Sequence, residues 1–185
     1  MDNEKKLYTL IVHSENRVGL LSQVTAVFTR RQINIESLNV SASSIEGIHR
    51  YTITTYTDKD IIEKVVGQIE KIIDVLQCGY YTDSEIFMQE VALYKVSTGV
   101  LMEHPEMSRI IRKYQANIIE VNSTYSVVEK TGKTEDITSL NKELAAAGGI
   151  LQFVSSGRVA ITRARSEHVS EYLDKVEKKY GNNRQ

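Results

Sequence analysis

The chain reads as an α+β protein made of two similar units in tandem, each with the element order βαββαβ. Two observations predict it. Hydrophobic periodicity alternates between short apolar runs, the mark of buried strands, and stripes spaced at i, i+3, i+4 and i+7, the mark of amphipathic helices. The pattern also repeats: Asn117-Ile118-Ile119-Glu120-Val121 stands 83 positions after Asn34-Ile35-Glu36-Ser37-Leu38, with the same elements before and after it.

In the first unit Leu7-Tyr8-Thr9-Leu10-Ile11-Val12 is an apolar run of strand length that reaches His13. A polar turn follows, and Leu20, Val24, Val27 and Phe28 then share one helical face. Asn34 to Ala42 and His49 to Tyr56 are rich in β-branched and aromatic residues, with Glu46-Gly47 as the turn between them. Thr57-Asp58-Lys59-Asp60 has the form of a helix cap. The apolar stripe of that helix is Ile62, Val65, Val66, Ile69 and Ile73, and Asp74 to Cys78 is the closing strand.

The second unit follows the same order. Glu90 to Ser97 is a strand, and Pro105 fits the first turn of a helix carrying Met107, Ile110, Ile111 and Tyr114. Asn117 to Val121 and Thr124 to Thr131 are strands, and Ile137, Leu140 and Leu144 mark a helix. Gly148-Gly149 ends that helix, because glycine adopts the left-handed conformation cheaply. Ile150 to Val154 and Val159 to Thr162 finish the sheet. The expected division is 1–80, a linker at 81–89, a second unit at 90–165 and a charged, partly helical tail at 166–185. Each unit closes into a ferredoxin-like sheet with both helices on one face, so two tandem ferredoxin-like βαββαβ domains are expected. The bare face of each sheet must be solvated or covered by a partner. Units this small bury little surface alone, so a homodimer is expected.

Composition narrows the function classes. The chain has 185 residues, 41% apolar and 25% charged, as in ordinary soluble domains. A net charge of −1 and a pI near 6.4 advertise neither nucleic acid nor an anionic membrane. One cysteine, Cys78, gives no internal disulfide framework. No apolar run approaches the roughly 20 residues that span a bilayer, and the first residues lack the core of a secretion signal. A cytoplasmic location is expected by default.

No catalytic set is visible. His13, His49, His104 and His168 form no metal-ligand pair at helical spacing, and His13 and His49 read as strand-end residues. Cys78 reads as a small buried hydrophobe. No nucleophile elbow, dinucleotide fingerprint or phosphate-binding lysine loop is present, and nothing pairs Glu36 or Glu90 with another carboxylate. The ligand-sized feature is the mouth of the first helix. About four amides lack partners at a helix N-terminus, and its dipole favours an anion. At Gly19 nothing obstructs approach, so a carboxylate there would meet donors from Leu20 and Leu21, while Asn34 could accept from an ammonium group. The plainer alternative is that Asn16 simply caps the helix and Gly19 relieves the turn.

The same residues carry a family resemblance. Asn16-Arg17-Val18-Gly19-Leu20-Leu21-Ser22, with Phe28-Thr29-Arg30-Arg31-Gln32-Ile33-Asn34-Ile35-Glu36-Ser37-Leu38 behind it, resembles the opening of an ACT domain. More closely it is similar to the small regulatory subunit family of acetolactate (acetohydroxyacid) synthase, whose pattern is roughly N-x-x-G-x-L-x-R-V…F-x-x-R-x-x-N-I-E-S-L. Gln23 replaces the arginine. Gly47 to Ile53 and Lys71 to Leu76 resemble later steps of the pattern. Gln89 to Val96 and Val154 to Arg163 match more weakly, with Gln89, Ser155 and Ser156 departing from it.

The resemblance implies a chain that binds no cofactor of its own. Its partner would be the large catalytic subunit, which carries thiamine diphosphate, magnesium and FAD. That subunit condenses two pyruvates to 2-acetolactate, or pyruvate with 2-oxobutyrate, in valine, leucine and isoleucine biosynthesis. The small subunit would activate it and confer feedback inhibition, usually by valine. By the same carry-over, ACT domains of two chains pair side by side. Asn16, Gly19 and Leu20, with the neighbouring Leu21, would hold the effector's carboxylate. Asn34 and Ile35 of the second chain would hold its ammonium and line its side-chain pocket. The alternatives are a stand-alone amino-acid sensor acting on another enzyme or on transcription, and a nucleic-acid binder stacking bases on Tyr51 and other strand aromatics.

Overall fold

A computed structural model describes residues 5–164; the charged tail expected at 166–185 lies outside the described residues. The elements are β1 (Lys6–Glu15), α1 (Leu20–Arg30), β2 (Ser37–Ala42), β3 (Ile48–Thr57), α2 (Lys59–Ile69), β4 (Val75–Tyr81), β5 (Ile86–Ser97), α3 (Thr98–Glu103), α4 (Pro105–Lys113), β6 (Asn117–Val121), β7 (Tyr125–Gly132), α5 (Thr134–Ala146), β8 (Ile150–Ser155) and β9 (Val159–Thr162). They form two compact units. One runs to Phe87 and takes back the chain from Ala160; the other is Met88–Val159.

The first unit is a four-stranded antiparallel sheet in the order β2-β3-β1-β4. Alternation along β1 sends Tyr8, Leu10 and Val12 toward the helices, where they meet Leu20, Val24, Val27 and Phe28 of α1 and Ile62, Val65 and Ile69 of α2. Each such side chain stabilises the fold by about 1.5–3 kcal/mol when fully buried. The opposite face was expected to be solvated or partner-covered. In this unit it is already buried: Thr9, Ile11, His13, Thr52 and Thr54 are all 5% exposed or less. Arg50, which pairs with His13 in the ladder, donates to the Ala160 carbonyl.

The second unit has the order β6-β7-β5-β8, with β9 also pairing β5. Ala92, Tyr94 and Val96 of β5 pack with Val128, Met107, Ile111, Ile137, Leu140 and Leu144. Tyr94 also donates its hydroxyl to the Ile137 carbonyl at 2.8 Å, which satisfies its one polar atom inside the core. Burial among apolar groups pushes the Tyr94 phenol up to about 12. The opposite face differs from its counterpart. Val91, Leu93 and Val154 remain 38–52% exposed, with Leu93 and Val154 directly opposed across the β5–β8 ladder.

Several sequence expectations are corrected. The segment 81–89 is not a linker: β4 runs to Tyr81 and β5 starts at Ile86, leaving Thr82–Glu85 as a turn in which the Glu85 carboxylate accepts from the Thr82 amide and hydroxyl. β9 completes the second sheet by pairing β5 as expected, although the chain from Ala160 on clusters with the first unit. His13 is not a strand end, since Ser14 and Glu15 continue the ladder opposite His49 and Ile48. Residues Asn34–Glu36 precede β2 rather than opening it. α2 ends at Ile69, so Ile73 falls outside it and is 95% exposed. Asp58 occupies the α2 N-cap position without a side-chain cap bond. α3 was not anticipated, because six residues are too few to show a helical period.

The 83-residue repeat is real at the level of helix endings. Gln32 and Gln115 are both left-handed, with φ of 55° and 53°. Ile33 N–H reaches the Phe28 carbonyl and Gln32 N–H the Thr29 carbonyl; Ala116 and Gln115 make the same pair of bonds to Ile111 and Arg112. This is the Schellman ending, repeated position for position.

Candidate functional site

The mouth of α1 is built by the end of β1 and braced by two loops. Glu15 N–H donates to the Asp74 carbonyl and Asn16 N–H to the Gly47 carbonyl, both at 2.9 Å. Gly19 then turns the chain into the helix with φ of 85°, a conformation that costs an L-residue about 1–2 kcal/mol. An ideal Cβ at Gly19 would have nothing within 4 Å, so the space in front of it is open.

First-turn amides decide what this mouth can bind. Leu20 N–H reaches the Arg17 carbonyl at 3.3 Å and Gln23 N–H the Gly19 carbonyl at 3.2 Å. The amides of Leu21 and Ser22 have no backbone or side-chain acceptor among the described residues. The expected donor pair thus shifts by one residue, from Leu20 and Leu21 to Leu21 and Ser22. Leu20 serves instead through its side chain, which is fully buried in the core. The plainer alternative for Asn16 also fails, since no side chain caps α1.

Charge points the same way. α2, α4 and α5 each carry an acid in the first turn, whereas α1 carries none. Its partial positive pole, about half an elementary charge, is therefore left uncompensated by its own helix. Arg17 lies beside it, with Nε 2.9 Å from Glu15 Oε2 and 3.3 Å from Asp74 Oδ1. The Glu15 hydrogen bond, then the Asp74 charge, raise the Arg17 pKa. Glu15, Asn16, Arg17, Val18, Gly47 and Ile48 line an open depression here. Gly47 was read in the sequence only as a hairpin turn; its part in bracing the mouth depends on β1 lying against β3.

Asn34 and Ile35 are not brought to this depression in a single chain. The Asn34 carbonyl accepts from Thr55 Oγ1 at 2.7 Å, and Thr55 pairs with Tyr8 near the start of β1. The mouth lies past Glu15, which pairs with Ile48. Seven residues of strand separate these two levels, about 23 Å at roughly 3.3 Å per residue. The Asn34 side chain is exposed, while Ile35 packs partly against its own core.

The remaining candidates are structural. Cys78 is buried, and desolvation pushes its thiol up, away from the reactive thiolate. Tyr51 is 3% exposed inside the first core and offers no stacking face. Glu90 is held in the second unit by Thr134, Ser155 and Arg158. Among the described residues no group of three or more His, Cys, Asp or Glu could hold a metal, and no helix is long and apolar enough to cross a membrane.

Residues 10–77 match the family described as "AHAS small subunit-like ACT domain", and residues 89–164 the family described as "Small subunit of acetolactate synthase". The chain is 32% identical to the acetolactate synthase small subunit of Bacillus subtilis over 167 residues, covering 90% of this chain and 95% of that one. It is 31% identical to that of Mycobacterium bovis over 158 residues, 85% of this chain and 93% of that one. The crystal structure of the acetolactate synthase small subunit from Thermotoga maritima shares the fold, with a TM-score of 0.77 at 23% identity over 87% of this chain and 99% of that one. The chain therefore belongs to the acetolactate synthase small-subunit family, its first unit an ACT domain.

Proposed function

We propose that this chain is the regulatory subunit that activates the thiamine diphosphate-dependent catalytic subunit of acetolactate synthase and makes it sensitive to feedback by valine. The catalytic subunit carries the thiamine diphosphate, magnesium and FAD and joins two pyruvates to 2-acetolactate. This chain, working beside it in the cytoplasm, performs no covalent step. The observation that carries the reading is the uncapped α1 start. The Leu21 and Ser22 amides, the open space at Gly19 and the exposed Asn16 form a receptor for a single carboxylate.

The zwitterion's ammonium needs an acceptor as well. Asn34 sits about 23 Å away within one chain at the strand rise used above, so only a second copy can supply it. β2, the strand after Asn34, is an outer strand of the sheet, and a two-fold antiparallel pairing along that side would bring the Asn34 end of one chain toward the α1 mouth of the other. The effector then bridges the homodimer and stabilises one arrangement over another, which is the condition for inhibition.

The test has two arms. Thermal denaturation of the full chain with valine, leucine or isoleucine should show a melting temperature that rises with ligand concentration. Reconstitution with the catalytic subunit should raise acetolactate formation, and valine should lower it. Binding without any effect on the synthase would transfer the reading to a stand-alone amino-acid sensor; no binding and no activation would end it.

A further inference from the structure

Between α1 and the end of α2 the first unit carries a cleft of about 450 Å³. Its floor is aliphatic: Ala26, the buried Val27, and Ile72, which packs partly against the core. Arg30 and Lys71 line it as well, both exposed. Among the described residues no acid lines the cleft, and no carboxylate engages either cation. On a chain whose net charge is −1, this is a local excess of positive charge, and such a field draws in an anionic partner. Arg31 Nε donates to Gln68 Oε1 at 3.1 Å, which ties the two helices together beside the cleft.

Gly67 stands inside α2 next to Gln68, a residue of the cleft wall. Glycine there weakens the helix relative to alanine. Its φ is not positive, and a Cβ would meet nothing within 4 Å. Neither the course of the backbone nor crowding inside the chain therefore calls for it. What glycine supplies is a bare stretch of helix that another backbone can approach closely.

We propose that this cleft docks an acidic segment of the catalytic subunit. The inference rests on the regulatory-subunit reading above. One apolar side chain of that segment sits on Ala26, Val27 and Ile72, its backbone passes over Gly67, and its carboxylates meet Arg30 and Lys71. An apolar centre with a polar, charged rim is the ordinary anatomy of a protein interface. The apolar contact holds the segment, while the two cations speed its arrival and disfavour basic sequences.

The full chain is titrated into its catalytic subunit, reading binding by calorimetry and activation by acetolactate formation. Arg30→Glu with Lys71→Glu should raise the half-saturating concentration at least about tenfold in both readings. Lys133→Glu with Lys142→Glu, the same charge change on exposed lysines of the second unit, should leave it nearly unchanged. Gly67→Gln separates docking from folding, because the new side chain favours the helix yet fills the approach. Its free chain should melt about 1–3 °C above wild type, while half-saturation rises at least about fivefold. A Gly67→Gln chain that melts higher and binds as wild type overturns the docking surface, and so does an equal loss in the two charge-reversed pairs. Sedimentation of the chain alone should give one oligomeric state for wild type and Arg30→Glu/Lys71→Glu. A change there would assign the cleft to a second copy and overturn the proposal. Wild-type chain that neither binds nor activates the catalytic subunit removes the regulatory reading together with the docking surface. Wild-type binding that both variants retain in full removes the docking surface alone.

Discussion

The two units solve the start of their first helix in opposite ways. In the first, four residues, Asn16 to Gly19, separate β1 from α1, and no side chain caps the helix. In the second, β5 runs straight into α3, and the hydroxyl of Ser97 accepts from Val100 N–H at 3.4 Å. The residue 83 positions beyond Gly19 is Met102, within α3 and 79% exposed. One start is left open toward an outside acceptor; the other closes on its own side chain. The helix endings, by contrast, match bond for bond at Gln32 and Gln115. A repeated frame can thus keep its structural joints and still leave the start of the helix uncapped in one copy and capped in the other.

The charged groups of the two units sharpen the contrast most. Glu90→Ala removes a buried carboxylate that accepts from Thr134 and Ser155 and faces Arg158, and should destabilise the chain by about 1–3 kcal/mol in urea denaturation. Glu15→Ala, at the exposed pair with Arg17, should change stability by less than about 1 kcal/mol. Equal losses would mean that the mouth is as tightly built as the second unit's interior.

Next in size is the open mouth itself. Gly19→Asp places a carboxylate where the ligand's own would sit and caps α1 internally. The valine concentration for half response should rise at least tenfold, about 1.4 kcal/mol, as read by melting temperature and by inhibition of the reconstituted complex. Met102→Asp, at the matching position of the second unit, should leave that response unchanged; sensitivity there would break the distinction between the units.

Smaller effects test the joints. Ser97→Ala should cost about 1 kcal/mol of stability through the lost cap and leave the valine midpoint where it was. Gln32→Gly and Gln115→Gly each relieve a left-handed non-glycine residue and should stabilise by about 0.5 kcal/mol, equally in the two units, since αL costs an L-residue about 1–2 kcal/mol and glycine gives part of this back in chain entropy. Thermal denaturation measures all three.

Much of this architecture was legible in the residues. The stripes Leu20, Val24, Val27, Phe28 and Ile137, Leu140, Leu144 place helices over sheets because a period near 3.6 leaves no other way to bury them. The Asn34–Asn117 echo gave away the tandem repeat, and Gly148 ends α5 in the left-handed conformation expected of it, with φ of 77°. The site was legible in part. Asn16, Gly19 and Leu21 gather at one helix mouth, but which amides stay unpaired depends on turn bonds, such as Leu20 N–H to the Arg17 carbonyl, that leave no trace in hydrophobic pattern.

Sequence by itself determined most of the elements, their order apart from α3, the duplication and the family resemblance, because periodicity and turn chemistry are local properties of neighbouring residues. Tertiary structure alone decided three further things: that the first sheet is buried on both faces, that the chain from Ala160 on clusters with the first unit, and that Asn34 lies a full strand's length from the mouth. Each depends on contacts between residues far apart in the chain, such as Arg50 with Ala160 and Thr55 with Asn34, and these exist only once the sheet has closed.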